Sequence, residues 1–164
     1  MNKFLISIVF TLIAVVPTFS QRLFDRVNSD SAPITWSAIA RMTTETEGVI
    51  TITANISEGW HLYGFKMPAD GPKPTRIKFI TTSNWNLDGT MTVDKAVKEK
   101  FDPMFNTNVE YWEGKIVLKQ SFKILSKDIV PEKIKCVITY MGCNDATCLP
   151  PSEKTLDIRV IPNK

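Results

Sequence analysis

The chain has 164 residues, 43% of them hydrophobic, and carries a formal net charge of +3. That charge is too small to argue for nucleic acid or an anionic membrane as a partner. A chain of this length buries a full core without staples, so its three cysteines are free for other work.

The first predicted element is a leader. Residues 1–20 carry Lys3, an apolar run from Phe4 to Val16, the breaker Pro17, and small residues at Thr18 and Ser20. These features read as a secretory signal peptide, with cleavage expected after Ser20. The run is shorter than the roughly 20 residues a membrane-spanning helix needs, and no later segment is long and apolar enough to span a membrane. No membrane span is therefore expected after cleavage. Residues 21–33 read as a linker and residues 34–164 as one domain. Export places the domain in the periplasm or outside the cell, where thiols can oxidise.

From Ile34 onward the pattern is that of β-structure. "ITWSAIA" is a weak strand. "GVITITANI" alternates cleanly, with Ile50, Ile52, Ala54 and Ile56 on one face. "WHLYGF" and "TRIKFIT" are weaker runs. "DKAVKEKF" reads as a helical turn or two. "KIVLKQSFKIL" places Ile116, Leu118, Phe122 and Ile124 inward. "IKCVITY" does the same with Ile134, Cys136, Ile138 and Tyr140, and "KTLDIRVI" with Leu156, Ile158 and Val160. Turn signals at Glu58-Gly59, Asp88-Gly89 and Glu113-Gly114 separate the runs. The expected fold is all-β, an immunoglobulin-like antiparallel sandwich of about seven to nine strands.

Two stretches lie outside this pattern. "MPADGPKPT" is rich in proline and glycine. "FDPMFNTNVEYW" puts Met104 and Phe105 into a turn-rich loop, where apolar side chains cover or bind something.

The cysteines allow three readings. A staple between Cys143 and Cys148 closes a very short ring, which stabilises by about 2 kcal/mol against about 5 for a 100-residue loop. A zinc site would draw on Cys136, Cys143, Cys148 and His61, the single histidine. Cys136, however, shares a strand face with Ile134 and Ile138 and reads as buried and inert. A redox pair needs two thiols in bonding reach and exposed to another protein's cysteine. "YMGCNDATCLPP" suits that need: Gly142 lets the backbone turn, Asn144 and Asp145 are turn residues, and Pro150 and Pro151 stiffen the exit. Histidine beside Trp60 is equally compatible with a half-buried structural residue, and Tyr63 with the core.

"YMGCNDATCLPP" followed by an amphipathic strand resembles the active-site hairpin of the N-terminal periplasmic domain of the thiol:disulfide interchange protein DsbD. "GWHLY" with "GPKPT" resembles an earlier signature of that domain, and "FDPMFNTNVEYW" falls at its cap loop. The resemblance runs from about Ile34 to Val160. It implies an immunoglobulin-like fold and a thiol:disulfide oxidoreductase module as a stand-alone exported chain. It implies Cys143 and Cys148 as the active pair, with Cys148 forming mixed disulfides. It implies that Met104 and Phe105 shield the pair and that His61 and Tyr63 flank it. The implied partners are thioredoxin-like proteins and a membrane thiol-electron transporter, in electron transfer that includes cytochrome c biogenesis. No cofactor and no metal is implied. The competing expectation is a non-catalytic immunoglobulin-like binding module whose disulfide only shapes a loop.

Overall fold

The computed structural model describes residues 32–126 and 130–163. The predicted leader and nearly all of the predicted linker lie outside them. Eleven strands follow in order among the described residues: β1 (Ile34–Met42), β2 (Glu47–Ile56), β3 (His61–Tyr63), β4 (Arg76–Ile80), β5 (Trp85–Val93), β6 (Lys98–Asp102), β7 (Thr107–Trp112), β8 (Lys115–Ile124), β9 (Lys133–Tyr140), β10 (Gly142–Cys143) and β11 (Ser152–Ile161). They form a seven-stranded sheet in the order β4-β9-β11-β1-β2-β8-β5 and a four-stranded sheet in the order β10-β3-β7-β6. The fold is immunoglobulin-like. Its pairs are antiparallel except β1 with β11, which run parallel at Ala40 opposite Val160.

Period-two alternation builds the core. Ile50, Ile52 and Ala54 of β2 stand opposite Gln120, Leu118 and Ile116 of β8, and all six are buried. Cys136 and Ile138 of β9, with Ile158 of β11, continue the same apolar layer. Each such aliphatic side chain contributes about 1.5–3 kcal/mol of burial free energy. Leu62 of β3 and Trp112 of β7 are cross-strand partners and belong to this core, so the small sheet packs onto the large one through them.

Three local expectations differ from the structure. Asp88-Gly89 is no turn between strands but a bulge within β5, where residues 89–91 stand opposite Gln120 alone. Gly89 has φ 63°, which glycine adopts without strain. The buried Gln120 amide donates to the Asp88 carbonyl at 2.9 Å and to the Gly89 carbonyl at 3.3 Å, so the bulge leaves these acceptors satisfied. "DKAVKEKF" forms no helix: bends at Asp94 and Lys95 lead straight into β6. The "FDPMFNTNVEYW" stretch is no long loop either, because β6 and β7 pair from Lys98 opposite Tyr111 to Asp102 opposite Thr107. Only residues 103–106 turn. Pro103 opens that turn, and Asn106 takes the left-handed φ of 52° that asparagine tolerates.

Candidate functional site

The site lies on the small sheet and follows from its alternation. Leu62 points to the core, so its neighbours His61 and Tyr63 share the opposite face. Strand β10 adds to the edge of β3 with Gly142 opposite Leu62 and Cys143 opposite His61. Cys143 therefore projects onto the face of His61 and Tyr63. Gly142 is required for close approach rather than for turning. A Cβ there would overlap the Ile34 side chain and lie 2.9 Å from the His61 carbonyl oxygen.

Cys143 and Cys148 form a disulfide with Cα atoms 4.0 Å apart. The intervening turn is held by Asn144, whose side-chain oxygen accepts from the amides of Ala146 at 2.9 Å and Thr147 at 2.8 Å. The Leu149 amide then donates to the Gly142 carbonyl, 2.9 Å away, and closes the loop. The two sulfurs differ in access. Cys143 is 1% exposed, whereas Cys148 is half-buried.

Tyr63, fully buried, sits beneath the pair. Its hydroxyl is 2.9 Å from Cys143 Sγ and 3.8 Å from Cys148 Sγ. It also lies 2.7 Å from Asp102 Oδ2. One hydroxyl proton serves one acceptor at a time, and in the disulfide state the carboxylate is the stronger acceptor. Burial, followed by the bond to Asp102, pushes the Tyr63 pKa far above its ordinary range, so the hydroxyl stays protonated. The Tyr63 carbonyl is fixed in turn by the buried Thr75, whose hydroxyl donates to it at 2.6 Å. Thr75 closes the "GPKPT" stretch, which positions the site from behind.

Asp102 ties this tyrosine to the β6–β7 turn. Its other oxygen, Oδ1, accepts the Met104 amide at 2.9 Å. That turn lies over the pair. Phe105 packs edge-on against the Tyr63 ring at 6.0 Å between centroids. Met104 is 54% exposed, and its Sδ is 3.5 Å from Cys148 Sγ. Met67, Phe105 and Cys148 pack against a small apolar cluster of Tyr63, Val109, Met141 and Cys143, separate from the main core.

His61 lies beside the pair and is 4% exposed. Its ring meets Tyr63 at 5.1 Å and Tyr111 at 5.5 Å, both edge-on. Nδ1 is 3.4 Å from Lys100 Nζ, and the buried Nε2 has no hydrogen-bond partner. Burial and then the Lys100 charge lower the His61 pKa from its ordinary 6.5. It is thus neutral at pH 7 and places no positive charge beside the pair. Cys136 belongs to the main core, away from the pair, and burial pushes its thiol up to about 11. The Cys3His set is not assembled, and among the described residues no three His, Cys, Asp or Glu side chains cluster for a metal.

The structure thus brings together Cys143, Cys148, His61, Tyr63, Met104 and Phe105. Sequence reading missed Asp102, Lys100 and Thr75. A signal for Asp102 was present: an aspartate directly before proline, at the entry to a turn that carries Met104 and Phe105.

The family model for the N-terminal region of the thiol:disulfide interchange protein DsbD matches residues 31–159. No curated protein sequence gives a significant match. The N-terminal domain of DsbD from Neisseria meningitidis, in the reduced form, is structurally similar. It aligns at TM-score 0.51 and 20% identity, over 83% of this chain and 91% of that one. The N-terminal periplasmic domain of ScsB from Proteus mirabilis aligns at TM-score 0.55 and 14% identity, over 80% of this chain and 48% of that one. These two likenesses concern the fold. The family match spans the described strands through Arg159 and contains every site residue named above, so the chain belongs to the DsbD N-terminal family of thiol:disulfide interchange proteins.

Proposed function

We propose that this chain is an exported thiol–disulfide exchange module. It accepts two electrons from a thioredoxin-like donor or a membrane thiol-electron transporter and passes them to periplasmic thiol proteins through Cys143 and Cys148. The observation that carries this reading is the asymmetry of the pair, with Cys143 buried against Tyr63 and Cys148 partly open beneath Met104. Exchange follows access, so the donor thiolate attacks Cys148 Sγ. A bond forms from the donor sulfur to Cys148, the Cys143–Cys148 bond breaks, and the electron pair leaves on Cys143. The Tyr63 hydroxyl, 2.9 Å from that sulfur, donates to the new thiolate. The donor's second cysteine, as a thiolate, attacks the donor sulfur of the mixed disulfide and releases Cys148. Each cysteine of this chain takes up one proton, and the donor departs as a disulfide. Delivery to an acceptor disulfide runs in reverse, with Cys148 attacking and Cys143 resolving. Met104 and Phe105 shield the pair between partners, and His61 and Tyr63 form the wall beside it.

The test is trapping. Cys143→Ser should hold a mixed disulfide between Cys148 and a thioredoxin-like protein, because no neighbouring thiol remains to resolve it. Cys148→Ser should trap far less. Reversal of that order would exchange the two roles. If neither variant traps and the pair has a reduction potential below about −300 mV, the disulfide is structural and the chain is a binding module.

A further inference from the structure

We propose that the reduced pair and Met104 together form a three-sulfur site for a soft monovalent cation, copper(I). The inference stands apart from the relay reading, since it requires only that the disulfide be opened, by any reductant. Met104 Sδ already lies 3.5 Å from Cys148 Sγ. Three sulfurs around one ion at about 2.3 Å each stand about 4 Å from one another. The thioether is therefore at ligand spacing before any ion arrives, and opening the disulfide moves its sulfurs from bonding distance toward the same spacing.

The donor set selects the metal. Thiolate and thioether sulfurs suit copper(I), whereas zinc takes a tetrahedral set of thiolate, imidazole or carboxylate ligands. Among the described residues no three His, Cys, Asp or Glu side chains cluster to supply such a set. Asp102 Oδ1 is engaged by the Met104 amide, and its Oδ2 faces the Tyr63 hydroxyl at 2.7 Å. The His61 ring is held edge-on between Tyr63 and Tyr111, with Nδ1 facing Lys100 and the buried Nε2 unpartnered. Around the sulfurs, Met67, Phe105, Val109 and Met141 form an apolar shell. The Tyr63 hydroxyl stands as an outer hydrogen-bond donor to the Cys143 thiolate. Met104 is exposed at the rim, which gives an ion a path inward. Binding displaces the two thiol protons to solvent, so affinity rises with pH.

The experiment uses the chain reduced with a phosphine, freed of reductant and titrated anaerobically with copper(I) against a chromophoric copper(I) chelator. The chain should draw one equivalent from the chelator, and X-ray absorption should show three sulfur neighbours at about 2.3 Å. Met104→Leu, which keeps the side-chain volume, should weaken binding by at least about tenfold. The oxidised chain should take up none, and zinc(II) should not compete. Two sulfur neighbours instead of three, equal affinity in Met104→Leu, competition by zinc(II), or failure of the reduced chain to win copper from the chelator would each overturn the proposal. The X-ray measurement on the unaltered chain stands even if the variant misfolds. No exchange partner enters the assay, so a chain that fails in trapping can still succeed here, and the reverse.

Discussion

The Tyr63 hydroxyl and the Asp102 carboxylate, 39 positions apart, form a 2.7 Å hydrogen bond inside the protein. Asp102 also accepts the Met104 amide, so one carboxylate links the tyrosine beneath the disulfide to the turn above it. Cover and floor of the site are thereby coupled through a single side chain.

Tyr63→Phe tests that coupling. It leaves Asp102, 3% exposed, without the partner of its Oδ2. The expected loss is about 1–3 kcal/mol, the cost of a buried acceptor left unmade. Urea unfolding of the oxidised chain should show it as a lower midpoint with unchanged slope. Reduction by dithiothreitol should also slow, because the Cys143 thiolate loses its donor. An unchanged midpoint would mean that the bond is not formed in solution.

The turn over the disulfide gives a prediction of opposite sign. Met104 and Phe105 cover the outer sulfur and the Tyr63 ring, and replacing both with Ala uncovers them. Reduction of the disulfide by dithiothreitol should then speed up several-fold. A rate equal to that of the parent chain would show that the turn does not shield the pair.

Cys136 is fully buried in the main core, and its thiol is pushed up to about 11. Since the thiolate is the reactive species, the folded oxidised chain should resist iodoacetamide at neutral pH. Mass spectrometry checks this, and rapid native labelling would contradict it. Cys136→Ser places a hydroxyl there without an assigned partner and should cost about 1–3 kcal/mol.

His61 should make stability fall on acidification. Its folded pKa lies below the ordinary 6.5, with burial the first cause and Lys100 the second. Between the folded and unfolded values the unfolded chain binds more protons, so unfolding free energy rises with pH in that window. Stability is lost as pH drops from 6.5 through the folded value. His61→Gln should flatten this part of the profile relative to the parent. The imidazole is the only one in the chain, so its proton resonance reports the titration directly. A midpoint at or above 6.5 would contradict the burial argument.

The sequence by itself determined the layered core and the closeness of Cys143 and Cys148. In β2, β8, β9 and β11, apolar residues recur at alternate positions, broken in β8 by Gln120 alone, and only one face of a strand can meet the core. That is why Ile50, Leu118 and Ile134 could be placed inward from their spacing alone. Cys143 and Cys148 are close in the chain, so their pairing needs no distant contact. The buried Cys136 was legible for the same reason as its neighbours Ile134 and Ile138.

Only the tertiary structure decided the rest, because it depends on which distant segments meet. β6 runs through three consecutive charged residues, Lys98 to Lys100, with no apolar alternation, and reads as a helical turn until β7 pairs with it. Asp88-Gly89 carries the signature of a turn, yet β8 continues past it, and the strand absorbs the extra residues as a bulge capped by Gln120. Asp102 becomes a site residue only when the β6–β7 hairpin places it against Tyr63. The charge of His61 also depends on the fold, since local sequence gives neither its burial nor the approach of Lys100. Alternation along a strand is a local property and can be read directly. A hydrogen bond or an electrostatic shift between strands is a property of the sheet order, which pairwise spacing does not encode.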